Sequence, residues 1–405
     1  MTVAAGSYRS TRYKRQTAQN VYSAVGGQVL RRSGGAMTLE RSTIDNPQIR
    51  ADKQKAMARQ GLGMVTFAHE DVLAPGTLAP FWESVILGTF ATAATSGALT
   101  TVAAAVTTAP AGTFTRSTGS YLTDGFTVGK VISSSGWATT GVPNNAHRFM
   151  IIGLTALVMT LYPLDGVALA AKAAGDSVTI VEVGKSVKTP ASGHVSHYYT
   201  MEDWHPDIAQ SEQAFDVRVD SIALKFAPNQ NLTCSVAFKG LNFTAAPTTP
   251  YFASPTAEAS TDLCAMATGK IMLGGVIVAT VTAADLNISC GLDMPAVIGS
   301  ATYPFIADTT VTVDGNITVL WEDQTLMTAY QNETDLTLAL VFANGRSASA
   351  DFVGFTLGRC RLFSATKSTD EKSLTKAYKL MGAENTANAT GTVASTISIQ
   401  DSLAP

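Results

Sequence analysis

Charge is scarce in this chain. Only 15% of its 405 residues are Asp, Glu, Lys or Arg, against about 25% in an ordinary soluble domain. Such a chain has little with which to solvate an isolated surface. A protein largely covered by copies of itself needs less. Cysteine is also sparse. Cys234, Cys264, Cys290 and Cys360 lie far apart with no C-x-x-C spacing, which speaks against a zinc site or a disulfide framework and for buried thiols in a reducing compartment. No apolar core follows the basic N-terminus, so no secretory signal is expected. Two stretches could be mistaken for membrane spans. Residues 149–162 (FMIIGLTALVMTLY) fall short of the roughly 20 residues a spanning helix needs. Residues 86–114 are mainly Ala, Thr and Gly, which insert poorly.

Catalytic signatures are missing as well. Gly184-Lys185-Ser186 resembles the end of a phosphate loop, but Thr179 stands where the loop needs its first glycine, so a phosphate cannot be wrapped. His194, His197, Glu202 and His205 are metal-ligand types lying close together. The first two are three apart where strand character begins, which points them to opposite faces. There is no nucleophile elbow, no H-E-x-x-H and no dinucleotide fingerprint. The polar stock is Thr, Ser and Asn, poor material for acid–base work. The expectation is a protein that is not an enzyme and has no catalytic residues, cofactor or metal.

What is present is 46% hydrophobic content, enough for more than one core. Val and Ala predominate, with Thr, Ser and Gly between them. Residues 1–39 hold Arg9, Arg12, Lys14, Arg15, Arg31 and Arg32 and no acid, leaving 22 basic and 31 acidic side chains in the rest. This segment lacks periodicity and reads as a disordered basic arm, able to bind nucleic acid or to dock on an acidic neighbouring subunit. Met37–Arg41 reads as a strand, 42–60 as a long polar loop and 61–70 as a strand. A helix then opens at Pro75 and Thr77, with Leu78, Phe81, Trp82, Val85 and Ile86 on one face. The same order returns later: strand 286–290, loop 291–308, alternating strand 311–321, helix 322–333. This suggests a duplicated domain.

Between these units, 88–112 reads as an Ala/Thr/Gly linker and 113–190 as a run of short strands forming a small inserted β-barrel. Residues 215–226 alternate with a one-residue slip at Asp220-Ser221, as a β-bulge would give, and turn at Ala227-Pro228-Asn229 into a returning strand 232–238. The expected fold is mainly β with short helices. A basic arm spans 1–36. A first domain is built from 37–112 and 191–250, and the inserted module from 113–190. A second domain covers 251–382, and a Ser/Thr-rich tail covers 383–405.

Three stretches carry a resemblance. Residues 39–61 (LERSTIDNPQIRADKQKAMARQG) contain Asn46, Ile49, Arg50, Asp52 and Gln54 in an N-x-x-I-R-x-D-x-Q order. Residues 114–132 read FTRSTGSYLTDGFTVGKVI, and 221–240 read SIALKFAPNQNLTCSVAFKG. These resemble the tail tube proteins of bacteriophages with long flexible tails, and the later TVTVDGNITVLWEDQTLMTAYQNETDLTLALVF also fits. The resemblance implies duplicated tail-tube β-sandwich or barrel domains. It also implies a structural virion protein that polymerises into stacked rings around an inner β-barrel. Double-stranded DNA would pass through transiently, and a tape-measure protein and tail terminator and tip proteins would be partners. It places the protein in the virion after synthesis in the bacterial host cytoplasm, with no membrane partner. Asn46, Ile49, Arg50, Asp52 and Gln54 would sit on a loop reaching a neighbouring subunit or ring. If each copy of the duplicated unit supplies one sector of a sixfold barrel, three chains fill a ring with a pseudo-sixfold lumen. A true hexamer is the alternative. The inserted module is expected outside the tube and dispensable for polymerisation. A capsid or decoration protein would share the composition, but not the repeated strand–loop–strand–helix order. A surface adhesin would need an export signal.

Overall fold

The computed structural model of the chain describes residues 4–245, 247–368, 373–386 and 390–405. Strand alternation in the sequence becomes sheet burial directly. In Thr233–Gly240, Cys234, Val236 and Phe238 are buried while Ser235, Ala237 and Lys239 face the other way. The backbone period of two puts each set on one side.

Eight strands of the 17-stranded main antiparallel sheet carry its repeat and are numbered in chain order. β1 is Gly34–Ile44, β2 Arg59–Val72, β3 Gln210–Phe226 and β4 Thr233–Gly240. β5 is Val281–Ser289, β6 Thr312–Leu320, β7 Phe352–Lys367 and β8 Thr375–Gly382. Their spatial order is β1-β2-β4-β3-β5-β6-β8-β7. The order within the first four is thus repeated by the second four. The irregularities repeat too. β3 bulges between Val219 and Ser221 against β4, and β7 bulges between Leu362 and Ser364 against β8. The bulge at Asp220-Ser221 is the slip seen in the sequence.

Upstream of each bulge, the long strand pairs with another strand. Tyr199–His205 pairs β3, with a slip between Tyr199 and Met201. Leu336–Ala343 pairs β7, with a slip between Leu336 and Leu338. After β2 comes helix α1, Ala79–Val85; after β6 comes α2, Thr325–Gln331. Both helices run into a non-glycine residue of positive φ, Leu87 at 54° and Glu333 at 50°. Pro80 suits the first turn of α1, where no intrahelical donor is required.

The helices differ in depth. Phe81, Trp82 and Val85 of α1 are buried. Phe81 meets Phe238 edge-on at 5.2 Å, and Trp82 meets Phe355 at 5.4 Å. In α2 only Leu326 and Tyr330 lean on the core. One continuous core runs from Val65 and Phe67 through Ile222, Leu286 and Ile317 to Phe355 and Tyr378, which joins the halves into one packed body. All four cysteines are free and buried. Burial pushes the thiols of Cys264, Cys290 and Cys360 up to about 12.

The insertion differs from expectation in two respects. Residues 88–112, read as a linker, contain strands Thr95–Leu99 and Val102–Val106, so Ala/Thr composition did not preclude pairing. The module is a seven-stranded antiparallel sheet with those two strands at its ends, not a sheet closed end to end. It also packs hard on the second half. Met272, Ala339, Val341 and Phe352 share its core, Gln400 Nε2 donates to Val131 O at 2.8 Å, and Gly129 abuts Thr356. The Ser/Thr-rich tail is structured at its end. Ser398–Asp401 is a buried strand pairing with β7 and with Lys185–Lys188.

Candidate assembly interface

The two ends of this eight-strand row are open among the described residues. β1 pairs only with β2, and residues 361–367 of β7 pair only with β8, among the described residues. Exposed edges of this length are templates for another strand. Inside the chain the same two kinds of edge are already joined. β3 pairs β5 with Ser221 opposite Ser289, Ile222 opposite Ile288 and Leu224 opposite Leu286. β7 stands to the second half as β3 to the first, and β1 stands to the first as β5 to the second. Ile288 is fully buried in the internal joint, whereas its counterpart Leu39 on β1 is 42% exposed.

One face of the sheet is turned away from the core. It carries mainly small and uncharged polar groups, including Thr66, Ala68, Ala223, Ser235, Asn287, Asn316 and Ala377. Its charges are mixed. Lys225 lies opposite Asp285, Asp285 accepts from Asn316, and Glu40, Glu70, Asp314, Lys239 and Lys379 complete the set. Asp216 and Arg218 of β3 add nothing to this face, because both are buried: Asp216 accepts from Tyr22 Oη at 2.6 Å, and Arg218 is ion-paired to Asp308 at 2.7 Å.

Asn46, Ile49, Arg50, Asp52 and Gln54 all lie on the exposed loop between β1 and β2. Most of the signature is spent on the loop itself. Asn46 Oδ1 accepts from Gln48 N at 3.1 Å, Arg50 pairs with Asp52 at 2.6 Å, and Asp52 Oδ1 also accepts from Gln54 N at 3.1 Å. The guanidinium holds the Asp52 carboxyl below its usual range. Ile49 makes no such contact and is fully exposed, and Met57 is nearly so. These two apolar tips were not both singled out by the sequence, because a loop's apolar residue has no period to reveal it.

The N-terminal segment is corrected by the structure. Ser10–Arg15 is a strand paired with Tyr199–His205 of its own chain. Its cations meet groups of that same chain. Arg9 pairs with Asp203 at 3.8 Å, Arg12 with Glu202 at 3.5 Å, Arg15 with Glu83 at 2.7 Å and Arg31 with Asp71 at 3.6 Å. Lys14 donates to Ser23 and the Val25 carbonyl, and Arg32 to the carbonyls of Gly6 and Arg9. Among the described residues these six cations are engaged within their own chain and do not form a loose arm. The acids that neutralise the segment all lie outside it, Asp203 and Glu202 far along the chain, so the local charge excess could not reveal them.

Among the described residues no group of three or more His, Cys, Asp or Glu gathers as a metal would require. Glu202 is occupied by Ser211 Oγ, Arg12 and the Phe252 amide, and His197 is buried beside Arg15 and lowered in pKa by that burial. No helix among the described residues is long and apolar enough to cross a membrane.

No curated protein sequence matches the chain. Among solved structures it is similar to the "Phage phi92 endosialidase" at 7% identity, covering 80% of this chain and 53% of that one with a TM-score of 0.15. The chain thus spans about half the length of that protein, and the score is too low to carry a structural argument. A family model described as phage tail tube protein matches residues 6–400, nearly the whole chain, so this chain belongs to the phage tail tube protein family.

Proposed function

We propose that three copies of this chain close into a ring, that rings stack into the tail tube, and that double-stranded DNA passes through the lumen during delivery. One observation carries this reading. The chain contains two four-stranded sectors of identical strand order, joined through β3 and β5, and leaves free the two edges that would make the same joint with further copies. Transferring the internal register to those edges sets Glu40 of one copy opposite Ser364 of the next, Leu39 opposite Ala365 and Thr38 opposite Thr366. Three chains then supply six sectors, and a closed ring leaves no strand edge exposed.

The sheet face bearing Ala68, Ala223, Ser235 and Asn287 lines the lumen. Its lysines are few and matched by acids. Each phosphate neutralised by protein would add affinity through counterion release, so a sparse, balanced face suits passage without adhesion. A tape-measure protein inside the lumen and terminator and tip proteins at the ends are the partners that this architecture calls for. Electron microscopy and native mass spectrometry of assembled tubes should count three chains per ring with threefold outer features. Six chains per ring would refute the trimer. Closed shells, or decoration of a shell by single copies, would favour a capsid or decoration role.

A further inference from the structure

The repeat also relates the two long loops, which end up in different places. The loop after β5, residues 290–311, folds back over the first half of its own chain. Leu292 N donates to Asp220 Oδ1 at 3.1 Å, and Leu292 O accepts from Lys239 Nζ at 3.1 Å. Asp308 binds Arg218, and Gly63 N donates to Ala301 O at 3.1 Å. Ile306 and Leu292 are thereby buried with Leu241 and Leu87. The loop after β1 has no such seat. It extends as an arm and leaves Met57 89% exposed. Counting forward from Arg41 and Cys290, which occupy equivalent places past the two edge strands, Met57 matches Ile306.

The surface equivalent to the covered one lies on the second half, and among the described residues no loop after a strand covers it as 290–311 covers the first. Lys239 and Asp220, which form an ion pair at 3.2 Å under the first seat, are replaced by Met381 and Phe363 at the matching register positions. These are 41% and 52% exposed. The polar pair meets a loop that offers it backbone groups, whereas the apolar pair is left about half exposed by the described residues of its own chain. The arm that would reach it from a neighbouring copy carries the exposed apolar residues Ile49 and Met57, with exposed Ile44 at the end of β1 just before it. Its path is set by the ring joint, since Glu40 opposite Ser364 makes the arm leave β1 beside Phe363.

We infer that the 45–58 arm of each copy docks on Phe363 and Met381 of the adjacent copy in the same ring, with Met57 seated as Ile306 is seated within the chain. The inference rests on the ring reading and adds to it an exchange. Each chain covers its own first half and its neighbour's second half. Burying the arm's apolar tips against an apolar seat favours closure of the ring over lateral encounters that leave both wet.

The test pairs Met57→Cys with Phe363→Cys, assembles tubes, oxidises mildly and separates chains under denaturing, non-reducing conditions. Docking within a ring gives covalent species that stop at three chains. A ladder running past three places the arm on the next ring, and uncrosslinked chains from well-formed tubes leave it undocked. Either result overturns the inference while the tube reading stands. Unsubstituted chains that never form tubes would count against that reading instead. Should the double variant fail to fold, hydrogen peroxide on unsubstituted protein serves. Sulfoxide formation at Met57 and Met381 should slow about tenfold from free subunit to tube, since the docked arm must open locally first; equal rates refute it.

Discussion

Leu39 offers the sharpest test of the lateral joint. In the free chain it is 42% exposed, while Ile288, its counterpart in the joint between β3 and β5, is fully buried. Complete burial of such a side chain contributes roughly 1.5–3 kcal/mol, so covering the exposed fraction is worth about 1 kcal/mol per joint. Leu39→Ala should weaken each joint roughly fivefold and raise the critical concentration for assembly by more than that, because closing a ring compounds three joints. Leu39→Asp is harsher, since it places a carboxylate in a strand pair that loses its water. Its fold should survive with a cost of about 1 kcal/mol, because the residue is partly wet in the monomer. Light scattering and microscopy should therefore show folded chains without tubes. The inferred register adds a rescue. Ala365 lies opposite Leu39, so Ala365→Lys in the Leu39→Asp background should restore part of the assembly through a cross-strand charge pair. Tubes from Leu39→Asp at the unsubstituted protein's critical concentration would show that β1 is not a ring edge.

Two further outcomes concern the fold. His69 is fully buried, and burial lowers its pKa from 6.5 to about 4, with a backbone hydrogen bond at Arg31 opposing the shift and Arg9 and Arg32 adding to it. The unfolded chain therefore binds the extra proton between those pH values, and this one group removes about 3 kcal/mol of stability on acidification through that window. His69→Ile, the residue found at the matching position 317, should abolish that part of the loss in urea melts at pH 7 and pH 4.5. The comparison with the parent cancels Asp401, whose carboxyl is raised by burial to about 6 and acts in the opposite sense. An unchanged pH slope would disprove the assignment. Replacing residues 92–183 with a short turn should not be neutral, because it uncovers Met272, Val341 and Phe352, at roughly 1.5–3 kcal/mol for each large side chain newly wetted. Thermal melting should show a destabilised or aggregating chain. Recovery of solubility when those three residues are made polar would confirm the cause, and a truncation as stable as its parent would refute it.

Local period and turn chemistry were sufficient for much of this protein. Alternation in 215–226 and 232–238, the slip at Asp220-Ser221 and the turn between them specified a bulged hairpin, because a strand's side-chain period and a one-residue excess are written in neighbouring residues. The two helices were legible from their apolar spacing, and the repeated strand–loop–strand–helix order from the chain itself. Contacts between distant segments were not legible. The arginines of residues 9–32 looked like a free arm because Asp203 and Glu202, which hold Arg9 and Arg12, are far along the chain. Residues 88–112 looked like a linker because Ala and Thr pair as strands only when another strand is brought alongside. The burial of Arg218, the open edges of β1 and β7, and the exposure of Phe363 and Met381 depend on which strands become neighbours. That is set by packing free energy summed over the whole sheet, and no window of sequence contains it.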